Sequence, residues 1–241
     1  EIHWTNLDLG SQSISESEIH VTAAQNVING SVINVPILIT TSSGQFTLPT
    51  FLTIQVGQIS VNDPLGPDGY GYYIYDQSDT EYDLAPVYDW IEIDPYYGGL
   101  GSQLGIYDGG NNGDESIVVT LPFTFTFYGE NYEEVTVCSN GWISFGETEM
   151  ASFRNYPIPG PGGPSPFLAV FWDDLYQSSN SDDGIFVLYD EENDYFIVQW
   201  SGFETYSGGG DETFQAILIN SDLSSPTGDD DIKIQYKEFN N

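Results

Sequence analysis

Positive charge is almost missing from this chain. Its 241 residues hold three Lys and Arg in all against 37 Asp and Glu, a formal net charge of −34. So few cations cannot displace the counterions of nucleic acid or of anionic lipid, which argues against both as partners. Cysteine is nearly absent as well. Cys138 stands alone, so there is no intrachain disulfide framework and no zinc knuckle. It lies in an apolar run with no His, Lys or Arg close by in sequence, which points to a small buried hydrophobe rather than a reactive thiol. The only histidines are His3 and His20. With no Gly-x-Ser-x-Gly elbow and no phosphate loop either, a nucleophile–base triad fails on inventory. No run of 18 apolar residues occurs, so no segment reads as membrane-inserted. An initiating Met is lacking too. The chain opens on Glu1-Ile2-His3-Trp4 and stops at Phe239-Asn240-Asn241, just after a strand pattern. The expectation is a mature or excised piece of an exported precursor.

What is present is enough to fold. Apolar residues make up 39% and aromatic residues 15%, unlike a disordered chain. Helix signals are scarce. The apolar segments are short or alternating, rich in Val, Ile, Thr, Tyr and Phe, and cut by Gly, Pro, Asn and Asp, which is the punctuation of an all-β fold. Residues 1–57 read as a partial immunoglobulin-like unit, with strands over 17–23, 31–41 and 46–56. Three or four strands fall short of a closed sandwich, so its open edges invite pairing with another strand. Residues 58–241 read as a larger, acidic, antiparallel β-sandwich of jelly-roll type. Its predicted strands cover 117–121, 123–127, 134–138, 141–145, 167–172, 184–190, 194–200, 213–220 and 231–236.

The acids cluster in loops. Asp108, Asn111, Asn112, Asp114 and Glu115 share one Gly-rich loop that can curl so that several oxygens converge, as calcium requires. The spacing is not that of an EF-hand. Asp76 and Asp79, with Glu81 and Asp83, form a second candidate, and Asp173-Asp174 after Trp172 a third. Asp182-Asp183 and Asp229-Asp230-Asp231 are further acidic turns. Each of these also reads as a plain solvated loop. Ca²⁺ is the cofactor expected, because bound cations would relieve the self-repulsion of so many carboxylates. Trp4, Trp90, Trp172, Trp200 and the tyrosines, above all 70–75 and Tyr96-Tyr97, keep a sugar-stacking alternative open. Carboxylate pairs are too numerous here for any one pair to indicate glycosidase chemistry.

Longer motifs carry a resemblance. Gly66-Pro67-Asp68-Gly69-Tyr70-Gly71-Tyr72-Tyr73, Tyr75-Asp76 and Ala85-Pro86-Val87-Tyr88-Asp89-Trp90-Ile91-Glu92-Ile93 resemble β modules of secreted bacterial surface proteins of Bacteroidetes type. Such modules neighbour gingipain-like or subtilisin-like peptidases. Phe127-Tyr128-Gly129, Cys138-Ser139-Asn140-Gly141-Trp142-Ile143-Ser144-Phe145 and Phe214-Gln215-x-x-Leu218 are similar to nidogen-type (NIDO) extracellular domains. The resemblance implies an extracellular or cell-surface address and carries no catalytic residue over. The aromatics of the second motif set read as core. The function expected is a non-catalytic structural or adhesive module, stabilised by calcium and joined to other copies or neighbouring modules by strand addition into a filament or surface layer. A glycan-binding accessory module of a secreted hydrolase is the alternative.

Overall fold

The computed structural model describes residues 12, 14–15, 18, 20–24, 27–41, 44, 47–110, 112–178, 182–221, 225 and 227–240. By contact the chain divides into two compact units, residues 1–67 with 73–85, and residues 68–72 with 86–241.

In the first unit, β1 (Val32–Thr40) pairs antiparallel with β2 (Thr47–Gln55), in unbroken register from Val32 opposite Gln55 to Thr40 opposite Thr47. β-Branched residues fill six of nine positions in β1 and four of nine in β2, and neither strand carries a charge. Pro36 and Pro49 fit because each strand has a free edge, where a missing N–H costs no ladder bond. Among the described residues no third strand joins the ribbon, and Leu38, Leu48 and Phe51 stay exposed on it. Among the described residues the strand expected over 17–23 is not found: Glu18 and 20–23 are exposed and lie outside any strand, while Ser17 and Ile19 lie outside the described residues. They bury nothing that would hold them extended.

The second unit is an antiparallel sandwich. One sheet has the order β4 (Ser116–Phe127), β5 (Glu130–Cys138), β6 (Trp142–Phe145), β7 (Phe167–Ala169). The other runs β12 (Asp231–Glu238), β11 (Asp211–Ile219), β10 (Tyr195–Thr205), β9 (Gly184–Asp190), β3 (Ser102–Gln103). A short β8 (Leu175–Gln177) takes over from β9 along β10, pairing Phe203–Thr205. The core lies between the sheets. Phe125, Val135, Val137, Ile143 and Phe145 meet Phe196, Val198, Trp200, Phe214 and Leu218 there. Successive strand residues face opposite ways, so the same alternation turns Ile197, Gln199, Gln215 and Ile217 outward. These outward residues are buried all the same, because residues 86–94 lie over them as an extended strap. Ile91 and Ile93 pack on Phe186, Ile197 and Ile217.

The strap is fastened by glutamines rather than by a ladder. Gln199, Gln215 and Gln235 stand side by side on β10, β11 and β12. Gln235 both donates to the Asp89 carbonyl and accepts from its N–H, each at 2.7 Å. Gln215 donates to the Ile91 carbonyl at 3.0 Å, and Gln199 accepts from the Ile93 N–H at 3.3 Å. Lys237, one of the chain's three cations, reaches Glu92 at 2.8 Å and lies over the Trp90 ring.

Candidate functional site

The acidic loop before β4 is built against the turn between β5 and β6. That turn is Ser139-Asn140-Gly141. Gly141 has φ 72°, and a Cβ there would come within 2.0 Å of the Phe171 carbonyl oxygen. Only glycine allows that approach, which puts residues 171–175 beside the turn. Ser139 and Asn140 are fully buried, and their side chains hold the loop. Ser139 Oγ donates to Asp108 Oδ2 at 2.8 Å and accepts from the Glu115 N–H at 3.2 Å. Asn140 Nδ2 donates to Asp114 Oδ1 at 2.8 Å, and its Oδ1 accepts from the Leu175 N–H at 2.9 Å. Gln177 clasps the Asp108 backbone on both sides, at 3.0 and 2.7 Å.

Two of the expected clusters therefore come within electrostatic reach of each other. Asp108, Asp114 and Glu115 come from one loop, Asp173 and Asp174 from another, and they act on each other's charge. Burial pushes the Asp108 carboxyl up; the Ser139 hydroxyl and Gly110 amide pull it back, while Asp114 and Glu115 add to the rise. Asp174 is pushed up by burial, then by Asp114, Asp108 and Asp173. None of the charges acting on these two is a Lys or Arg. Glu115 accepts from the Tyr107 N–H, and Asp173 from the Asp174 N–H. Asn112 is exposed, with φ 67°; Asn111 lies outside the described residues. Among the described residues, no three His, Cys, Asp or Glu side chains form a metal-holding group. An ion here would also need Asn, carbonyl or water oxygens, which calcium accepts.

Tyrosines flank this locus. Tyr107 is 70% and Tyr206 55% exposed. Gly109 lies against the Tyr107 ring, and Gly110 against Tyr206 and Tyr176. The other aromatic candidates are differently used. Tyr70, Tyr72 and Tyr128 stack on one another with centroids 4.6–5.8 Å apart. Tyr97 is exposed, beneath the Lys237 ammonium. Trp142 and Trp172 are buried and donate to a single carbonyl, that of Ser152. Trp200 is core; Trp4 lies outside the described residues.

Asp76 and Asp79 belong to the first unit. Asp76 Oδ1 accepts from the Ser78 N–H and hydroxyl, and Asp79 Oδ2 accepts from the Asp76 N–H at 2.8 Å. Of the later acidic turns, Asp183 accepts from the Ser178 hydroxyl, and the turn through 229–231 is met by backbone donors. Asp230 accepts from the N–H groups of Thr126 and Ser221, and Asp229 from that of Gly129. His20 is exposed beside Glu18, while His3 lies outside the described residues. The glutamine clasp escaped sequence reasoning, although one signal was there: a Gln amid apolar residues at the same outward register on three strands.

Among the described residues no helix is long and apolar enough to cross a membrane. No curated protein and no solved structure matches the chain. Residues 101–239 match the family model described as NIDO related, whose domains are non-enzymatic modules, typically of extracellular proteins. That match takes in β3 to β12, the acidic loop and the Ser139-Asn140-Gly141 turn, and covers more than half of the sequence: the chain belongs to the NIDO-related family.

Proposed function

We propose that this chain is a non-catalytic extracellular module with a structural or adhesive role, held firm by calcium at the acidic locus. One observation carries the reading. Buried Ser139 and Asn140 hold the carboxylates of Asp108 and Asp114, and Asn140 also holds the Leu175 N–H next to Asp174, with no Lys or Arg among the charges acting on Asp108 and Asp174. Such a site gains from a hard cation taking oxygen ligands. Binding to the folded state alone stabilises it by about 2.7 kcal/mol at a hundredfold excess over Kd. Millimolar calcium should raise the melting temperature, and the Asp114→Asn, Asp174→Asn double variant should lose most of that rise. Identical melting in calcium and in chelator would sink the calcium reading.

Assembly by strand addition is proposed from the β1–β2 ribbon. It is uncharged, apolar on its surface, and joined by no third strand among the described residues. Open edges of that kind accept a further strand. Light scattering after gel filtration, with electron microscopy of native material, should show concentration-dependent assemblies that Leu38→Lys, Phe51→Lys disperses. A monomer at every concentration would end the idea. The exposed Tyr107 and Tyr206 beside the acidic loop favour a second reading, calcium-dependent glycan binding. A glycan array probed with and without calcium tests it, and an array with no calcium-dependent hits rejects it.

A further inference from the structure

The first unit buries two aspartates and treats them unequally. Asp63 has a donor for each lone pair in use. Tyr82 Oη and Asn29 Nδ2 donate to its Oδ1, and the Ser60 N–H and Oγ donate to its Oδ2. These bonds hold its carboxyl far below the usual range. Asp79 is the more deeply buried of the two, at 2% exposed against 8%. Its Oδ2 accepts from the Asp76 N–H, and its Oδ1 has no hydrogen-bond partner among the described residues. A buried carboxylate oxygen without a donor is costly, and native folds seldom leave one.

Among the described residues no Lys or Arg of this unit supplies the missing charge, and His20 is exposed beside Glu18. The three Lys and Arg of the chain are Arg154, Lys233 and Lys237, all outside this unit. Tyr75 and Tyr82 lie close enough to sense Asp79, but the Tyr82 hydroxyl is already given to Asp63. Asp79 sits in a tight turn: its N–H donates to the Asp76 carbonyl at 3.2 Å, and its carbonyl accepts from the Tyr82 N–H at 2.9 Å. Among the described residues no third acidic side chain joins Asp76 and Asp79 in a metal-holding group, which leaves carbonyl and water oxygens to complete a shell. That is calcium's chemistry, not zinc's.

We propose that Asp79 is the buried anionic ligand of a Ca²⁺ site in the first unit, with Asp76 and carbonyls of the same turn beside it. The site is separate from the acidic locus of the second unit, and the proposal rests on the reading of this chain as a calcium-stabilised module. Its consequence is that the turn between β2 and the strap becomes ordered only when calcium is present.

The test uses the full chain, with Ca²⁺ and Tb³⁺ as the probes. Calorimetric titration of wild type should show one more equivalent of bound Ca²⁺ than Asp79→Asn. Tb³⁺ emission excited through tyrosine should fall in the same variant, since Tyr75 and Tyr82 neighbour the carboxylate. The Asp114→Asn, Asp174→Asn variant should keep this equivalent; if only that variant changes stoichiometry, the Asp79 proposal fails while the second-unit site stands. If only Asp79→Asn changes it, the reverse holds. Should Asp79→Asn not fold, hydrogen exchange on wild type decides. Calcium should slow exchange at least tenfold across residues 60–83, and unchanged exchange there overturns the proposal. So does an Asp79→Asn protein with full stoichiometry and equal or higher thermal stability.

Discussion

Gly141 shows how much a single position can decide. Its positive φ and its contact with the Phe171 carbonyl both exclude a side chain. Gly141→Ala should destabilise by about 3 kcal/mol or more, since backbone strain and a backbone clash add; urea denaturation measures it. Cys138 sits just before that turn, fully buried. Burial pushes its thiol up to about 12, against smaller help from the Asn140 amide and Ser139. A thiol reagent should therefore leave the native protein unlabelled at neutral pH and react stoichiometrically once it is unfolded. Rapid labelling of the folded chain would contradict the packing described. Cys138 as a buried hydrophobe was legible in the sequence, from its apolar neighbours. The partners of Ser139 and Asn140 were not, since those polar contacts reach 24–35 residues away.

Among the elements, the strap and its glutamine clasp make the sharpest prediction. Gln215→Leu leaves the half-buried Ile91 carbonyl without its donor and removes one of two acceptors from Gln235 Nε2, which keeps the Asp89 carbonyl. An orphaned group costs about 1–3 kcal/mol, so a loss of about 2 kcal/mol is expected in urea denaturation, with faster hydrogen exchange over residues 86–94. Glu92 adds a pH signature. Burial works to raise its carboxyl, but Lys237, Gln199, the Asp94 amide and the Trp90 indole together hold it below the usual range. Its contribution is complete above the unfolded glutamate value of about 4.3 and fades as pH falls through the lower folded value. Glu92→Gln should flatten the stability profile in that acid window. The pair is partly exposed, so the change should stay near 1 kcal/mol. Strand existence was readable by alternation, yet strand limits were not. β4 runs unbroken through Pro122, with a register shift between Thr120 and Phe125, where two strands were expected. Proline punctuates a sequence, but a bulge accommodates it in space. β7 stops at Ala169 because the Phe171 N–H turns to the Gly141 carbonyl.

For the whole molecule, the charge of −34 sets how stability varies with pH. Asp108, Asp174 and Asp183 are all raised, burial being the first cause in each. A raised carboxylate destabilises the fold as pH climbs past its unfolded value, so mild acid relieves it. Lowered groups act in the opposite sense. Asp68 is held at about 2, first by the Tyr128 hydroxyl and then by the Gly71 amide. Its contribution is present above the unfolded aspartate value of about 3.9 and lost as pH falls towards its folded value. The melting temperature should thus peak on the acid side of neutrality, above about pH 4, and fall on either side. At pH 7, added salt should narrow the gap to that peak by screening. A melting temperature that rises steadily from pH 5 to 8 at low salt would contradict this.

Local chemistry settled the class of fold in advance. Period-two alternation, β-branched composition and turn residues are properties of neighbours in sequence, and they mark strands wherever those strands later pair. The extreme charge and the lone thiol were likewise sums over the sequence. Which acids share one locus was another matter. Asp108 and Asp174 lie 66 positions apart, counting 174 − 108 in the sequence, and only the pairing of β8 with β10 and the Ser139-Asn140 turn bring them together. The burial of Gln199, Gln215 and Gln235 was decided in the same way. Alternation assigns them to the outer face, but whether that face meets water depends on a strap that arrives from more than a hundred residues earlier in the chain.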